Sequence, residues 1–172
     1  MASTLVAVEE YLSTSYPDGD REYVDGQILE RNVGEIEHAN LQTRIVFYLL
    51  THYPQFWAAV EVRLQVKARR FRVPDVTLVA GPEPEGRIIV SPPHLTVEVL
   101  SPDDRAADVQ EKIDDYLAFG VAYVWVVNPR TGRGYIHTVA GSREAKEGVL
   151  RTADPALELP LGELFGASGK RG

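Results

Sequence analysis

The chain has 172 residues, a length that fits one domain with one sizeable core, and its 44% hydrophobic and 25% charged residues are ordinary for a folded globular protein. A net charge of −7 argues against a protein that coats nucleic acid through bulk electrostatics. The absence of cysteine removes disulfides, thiol catalysis and cysteine-held zinc, so a bound metal must rest on carboxylates, histidines, carbonyls and water, a ligand set that suits Mg²⁺ or Mn²⁺.

No apolar run reaches the length of a membrane span, and the opening MASTLVAVEEYL lacks the basic region of a secretory signal, so a cytoplasmic location is expected. Arginine far outnumbers lysine, which occurs only at Lys67, Lys112, Lys146 and Lys170. With Cys absent and Met rare, this composition leans toward a thermophile. No repeat or linker divides the chain, which reads as one domain over 1–166 with a loose tail over 167–172.

In chain order, Leu5, Val8 and Leu12 recur at helical spacing and predict a short helix over 4–15, broken by Tyr16-Pro17-Asp18-Gly19. Asp25-Gly26, between Glu22-Tyr23-Val24 and Gln27-Ile28-Leu29, predicts a hairpin over 21–30. Leu41, Ile45, Tyr48 and Leu49 give 36–52 one apolar stripe, and Tyr53-Pro54 ends that helix. Residues 58–66 and 71–80 read as paired strands joined by the basic Lys67-Ala68-Arg69-Arg70, and 81–86 as a Pro-rich loop. Leu95–Leu100 is apolar on both faces except at Thr96 and Glu98, as a central strand covered on both sides would be. Ser101-Pro102-Asp103-Asp104 has the form of a capping box opening a helix that runs to Phe119, with Gly120 as its left-handed cap. Tyr123–Asn128 and 134–139 read as a strand pair around the turn Asn128–Gly132. Strands and helices alternate, which predicts an α/β or α+β fold with a mixed β-sheet flanked by helices.

Two carboxylates stand out within strands. Glu98 interrupts an apolar run where glutamate is a poor strand former, and an unpaired buried carboxylate costs several kcal/mol, roughly, unless a cation or donors compensate it. Asp75 follows Pro74, which cannot donate to a ladder and so suits an edge, bend or bulge. Two carboxylates on adjacent strands can hold a divalent cation and leave room for water and a phosphate oxygen; an arginine or backbone amides could satisfy the same groups. Lys112 borders the buried face made by Val109, Ile113, Tyr116 and Leu117, where it could serve the site or snorkel toward Asp108 or Asp115.

With Asp75, Glu98 and Lys112 in view, the chain resembles the Uma-two family of restriction-endonuclease-like proteins, long classed as a domain of unknown function, within the PD-(D/E)XK nuclease superfamily. The resemblance runs from about Val6 to Phe165 and rests on REYVDGQILE (21–30), EIEHANLQTRIVFYLL (35–50), RVPDVTLV (72–79), LTVEVLSPDD (95–104) and EKIDDYLAFGVAYVWVVNP (111–129). It implies a restriction-endonuclease-like core and a Mg²⁺- or Mn²⁺-dependent endonuclease acting on DNA. It carries Asp75 and Glu98 over as metal ligands with the carbonyl of Val99, and Lys112 as the group assisting the nucleophile. The usual lysine position is Leu100, a departure from the superfamily pattern that leaves Lys112, on the following helix, to fill the role. The resemblance also points to Glu22 as a further carboxylate of the site. His38 comes with it as a ligand, a phosphate contact or a helix-start hydrogen bonder.

Arg63, Lys67, Arg69, Arg70 and Arg72 fall within ten residues with no acid among them. They read either as a phosphate-contacting surface beside Asp75 or as a solvated hairpin tip whose charges protect an edge. Two other readings remain open at this level. One is a module on a nuclease fold that binds nucleic acid or protein without cutting; the other is a metal-free pair of carboxyls acting on sugars. A homodimer fits the resemblance.

Overall fold

The computed structural model describes residues 4–17, 19–31 and 35–165, so the tail expected over 167–172 lies outside the described residues. Helix α1 (Val8–Ser13) leads into the hairpin β1 (Glu22–Val24) and β2 (Gln27–Leu29). Asp25 and Gly26 both have positive φ, 50° and 98°, the mirror-image turn that a two-residue hairpin loop favours. Helix α2 (Ile36–His52) follows with the predicted bounds, but its buried stripe is Leu41, Gln42, Ile45 and Leu49, with Tyr48 only half-buried.

The long hairpin expected over 58–66 and 71–80 is two hairpins end to end. Strand β3 (Trp57–Val60) pairs with β6 (Val76–Val79), and β4 (Leu64–Lys67) pairs with β5 (Arg70–Arg72). The arms change sheet together. Glu61 takes a φ of 53° on one arm, and Val73-Pro74 interrupts the ladder on the other. The Glu61 amide donates to the Asp75 carbonyl at 3.3 Å, which ties the two bends into one corner.

Strand β7 (Leu95–Val99), helix α3 (Ala106–Phe119) and strand β8 (Tyr123–Asn128) form a βαβ unit with β7 and β8 parallel. Helix α3 starts later than the sequence suggested. Asp104 does accept from the Ser101 amide at 2.7 Å, but the reciprocal bonds close a turn, and Arg105 is the residue that precedes the helix. Gly120 caps it at φ 111°, as expected. Strand β9 (Arg133–Thr138) returns beside β8, and β10 (Gly141–Glu144), β11 (Val149–Thr152), β12 (Leu157–Pro160) and α4 (Leu161–Phe165) complete the described chain.

The larger sheet has the order β10-β9-β8-β7-β6-β3, and a smaller one has the order β2-β1-β5-β4. Every residue of β7 is buried, so its period of two sends two sets of side chains into two cores. Leu95, Val97 and Val99 join Leu41, Ile45 and Leu49 of α2. On the other side Ile113 and Tyr116 of α3 pack on Val124 and Val126 of β8 and on Leu64 and Val66 of β4. Each such side chain contributes roughly 1.5–3 kcal/mol when fully removed from water. Alternation then places Thr96 and Glu98 on the α3 side, within an otherwise apolar layer. This is a mixed α/β fold in which the mixed sheet is flanked by helices, and among the described residues no helix is long and apolar enough to cross a membrane.

Candidate active site

The β6–β7 register pairs Val76 with Val97, so one further step along it brings Asp75 beside Glu98. Asp75 is 3% exposed. Its Oδ2 accepts from the Val99 amide at 2.7 Å and faces His38 Nε2 at 3.2 Å, while its Oδ1 accepts from Arg31 at 2.8 Å. Gln42 donates to the Asp75 carbonyl at 2.9 Å and fixes the backbone of the same residue. Burial opposes ionisation of Asp75, but the His38 hydrogen bond and the positive charges of His38 and Arg31 outweigh it and hold its pKa below the usual range. The same hydrogen bond raises the pKa of His38.

Glu98 has the opposite balance. Burial pushes its pKa up to about 7, and the negative charges of Asp75 and Glu22 add to that rise. Lys112 and the hydroxyl of Tyr116 pull the other way. Tyr116 donates to Oε1 at 2.6 Å, and Lys112 Nζ stands 3.8 Å from Oε2. Lys112 and Tyr116 are four residues apart and therefore share one face of α3. Lys112 Nζ also lies 3.5 Å from Glu22 Oε1, so its partners are Glu22 and Glu98 and not the Asp108 or Asp115 of the snorkelling alternative. Leu100 would share the face of Glu98 by alternation, but it packs into the apolar layer under α3, and Lys112 enters the same space from the helix.

Glu22, on β1, is held from behind. Its Oε1 accepts from the Val73 amide at 3.1 Å and its Oε2 from Arg72 at 3.0 Å. Arg72 is 2% exposed and its other nitrogens engage Asp115 at 2.7 and 2.8 Å. The buried row Glu22–Arg72–Asp115 thus fixes one wall of the site. Glu22, Arg31, His38, Asp75, Glu98 and Lys112 all line one cavity of ≈ 740 Å³, and Val99 lines it as well.

The five basic residues do not behave as one surface. Arg72 is buried between Glu22 and Asp115 and reaches only the wall of the cavity. Arg63 is clamped on Asp20 with its guanidinium 4.5 Å from the Tyr11 ring centroid, and Arg70 bridges Asp25, Glu111 and Asp115. Lys67 and Arg69 remain exposed at the β4–β5 turn and do not line the cavity. Carboxylates distant in sequence partner four of the five, Lys67 among them through Asp115 at 3.6 Å, which a reading limited to ten residues could not register. The basic groups that do line the cavity include Arg21, Arg31 and Arg105, none of which stood out in the sequence.

Among the described residues no three carboxylates or histidines gather closely enough to cage a cation by themselves. The donor set nonetheless fits Mg²⁺ or Mn²⁺. Such ions need only one or two carboxylates, and take water and substrate phosphate for the rest. Glu98 is a buried carboxyl on the wall of the cavity, and its oxygens are hard ligands of the kind such ions take.

A model of the Uma2 family, described as "Putative restriction endonuclease", matches residues 8–167. The chain belongs to this family. Comparison with curated protein sequences finds no match. Among solved structures the chain is similar to a crystal structure described as a "putative nuclease belonging to DUF820" from Anabaena variabilis ATCC 29413. The TM-score is 0.77 at 22% identity, covering 93% of this chain and 97% of that one. At that identity the likeness establishes the fold over nearly the whole chain.

Proposed function

We propose that this Uma2-family chain is a metal-dependent endonuclease that hydrolyses phosphodiester bonds of DNA. The observation that carries the reading is convergence. Asp75 from a sheet corner, Glu98 from a buried strand and Lys112 from a helix meet on one cavity, although they lie far apart in sequence. A lysine set against the buried glutamate also favours this chemistry over a metal-free pair of sugar-cleaving carboxyls.

Asp75 and Glu98, with the carbonyl of Val99, would hold Mg²⁺ or Mn²⁺. When bound, the ion supplies a lowered pKa for a coordinated water and neutralises charge developing on phosphorus. Lys112 Nζ, poised between Glu22 and Glu98, donates a hydrogen bond to the attacking water and orients it. Glu22 keeps Lys112 pointed into the cavity, because the Val73 amide and Arg72 hold its own oxygens in place. His38 fixes Asp75 through Nε2 and holds a proton at the cavity wall.

The test is conversion of supercoiled plasmid to nicked circles by purified protein. Cleavage requires Mg²⁺ or Mn²⁺, stops with EDTA, and is lost in Asp75→Ala; cleavage that survives EDTA or that substitution refutes the reading. One observation favours a second reading, a module that binds without cutting: both oxygens of Asp75 already have donors. Calorimetry showing no Mg²⁺ or Mn²⁺ binding, with or without duplex DNA, would select it.

A further inference from the structure

We propose that Arg31 is a two-position cation: it neutralises Asp75 while no metal is bound, and yields that carboxylate to a divalent cation by turning onto the incoming phosphodiester. The inference rests on the metal-dependent reading above and assigns a role to a residue outside the Asp75–Glu98–Lys112 set.

The first support is the way Asp75 is partnered. Oδ2 is held by two fixed groups, the Val99 amide and the His38 ring. Oδ1 is held by Arg31 alone among the described residues. A cation entering the cavity competes with Arg31 for Oδ1 and leaves the Oδ2 bonds intact.

The second support is how lightly Arg31 is tethered. Among the described residues its other partner is Glu61, at 3.4 Å and with a side chain 41% exposed. Arg63 and Arg72 contrast with it. Arg63 holds Asp20 and reaches three backbone carbonyls, and Arg72 is walled in by Glu22 and Asp115. Arg31 instead lines the open cavity, with 15% of its side chain exposed. A guanidinium keeps its charge wherever it turns.

The third support is charge balance. With Arg72 matched by Asp115, three carboxylates (Glu22, Asp75 and Glu98) face two cations, Arg31 and Lys112. A divalent cation brings this buried group to a net positive charge. A phosphodiester brings negative charge that offsets it. Two of its oxygens match the guanidinium fork that Asp75 and Glu61 engage.

The experiment compares wild type with Arg31→Gln, which keeps a donor to Asp75 and removes the charge, and uses Asp75→Asn to locate the binding. Mn²⁺ alone is titrated by calorimetry, and a short fluorescent duplex is then titrated in Ca²⁺, which takes the same oxygen ligands. Arg31→Gln is expected to bind Mn²⁺ roughly tenfold tighter, yet to bind the duplex roughly tenfold more weakly. Its slope of log affinity against log salt falls by about one. Arg31→Lys, which keeps charge without the fork, lies between, and replaces the glutamine variant if that one fails to fold. Unchanged or weaker Mn²⁺ binding in Arg31→Gln, or an unchanged duplex affinity and salt slope, overturns the role of Arg31 while leaving the metal-dependent reading intact. Absence of Mn²⁺ binding in both wild type and Arg31→Gln overturns the two together.

Discussion

Tyr116 donates its hydroxyl to Glu98 Oε1 at 2.6 Å, with both side chains buried in the layer between α3 and the sheet. It is the direct hydrogen bond that leaves Oε2 of Glu98 to face Lys112 and the cavity. Tyr116→Phe removes the donor with almost no change of volume. At pH 8 the variant should lose about 1.5–3 kcal/mol, the usual worth of a hydrogen bond to a charged group. Urea denaturation in EDTA measures it, and an unchanged midpoint would mean that Glu98 finds another donor.

The buried carboxyl of Glu98 makes metal-free stability depend on pH in an unusual sense. Its folded pKa, about 7, exceeds the ordinary value of 4.5. Stability from this group is therefore fully present below the unfolded pKa, near 4.5, and is lost as pH rises through about 7. Glu98→Gln removes the dependence. Relative to that variant, wild type in EDTA should lose on the order of 2–3 kcal/mol between pH 5 and pH 8. Urea midpoints across that range check it. Adding Mn²⁺ should restore wild type and leave Glu98→Gln unmoved.

Much of this arrangement is legible in the sequence, and the illegible part has a physical cause. The apolar period marks α2 and the β7–α3–β8 unit, and a glutamate inside an apolar strand marks Glu98 as a residue needing compensation. Pro74 signals a bend, but not that both arms of the hairpin bend together, because that depends on Glu61 meeting Asp75 across the corner. The Ser101–Asp104 pattern is satisfied as well by a turn as by a helix start. Arg31 and Gln42 escaped notice because their partner is 44 and 33 residues away, and nothing local distinguishes them from surface residues. Arg72 reads as part of an exposed basic stretch for the same reason, since Glu22 and Asp115 lie 50 and 43 residues away.

The burial of Arg72 leads to a stability prediction. Arg72 joins Glu22 and Asp115 in a row that is nearly inaccessible to water. Breaking a buried pair from one side leaves uncompensated charge and costs about 3–5 kcal/mol. Asp115→Asn leaves Arg72 and Arg70 short of a counter-charge and should fall in that range by urea denaturation at pH 7. Lys67→Ala removes only a half-exposed partner of Asp115, 3.6 Å away, and should cost less than about 1 kcal/mol. Equal losses in the two variants would show that the row is not the structural support described above.

Lys112 separates catalysis from architecture. Lys112→Met keeps the apolar stem and deletes the ammonium that lies between Glu22 and Glu98. A residue that only stabilises the fold would lose cleavage in step with the folded fraction or with metal occupancy. A residue that orients the attacking water loses it with the site fully loaded. Removing a neighbouring positive charge should leave Mn²⁺ affinity unchanged or tighter by calorimetry, because the ion no longer competes with the ammonium for Glu98. Single-turnover cleavage at saturating Mn²⁺ should nevertheless fall by roughly 10²–10⁴, the range for a positioned proton-transfer or charge-stabilising group. Cleavage within about threefold of wild type at full occupancy would remove Lys112 from the reaction and leave it as a counter-ion of Glu22 and Glu98.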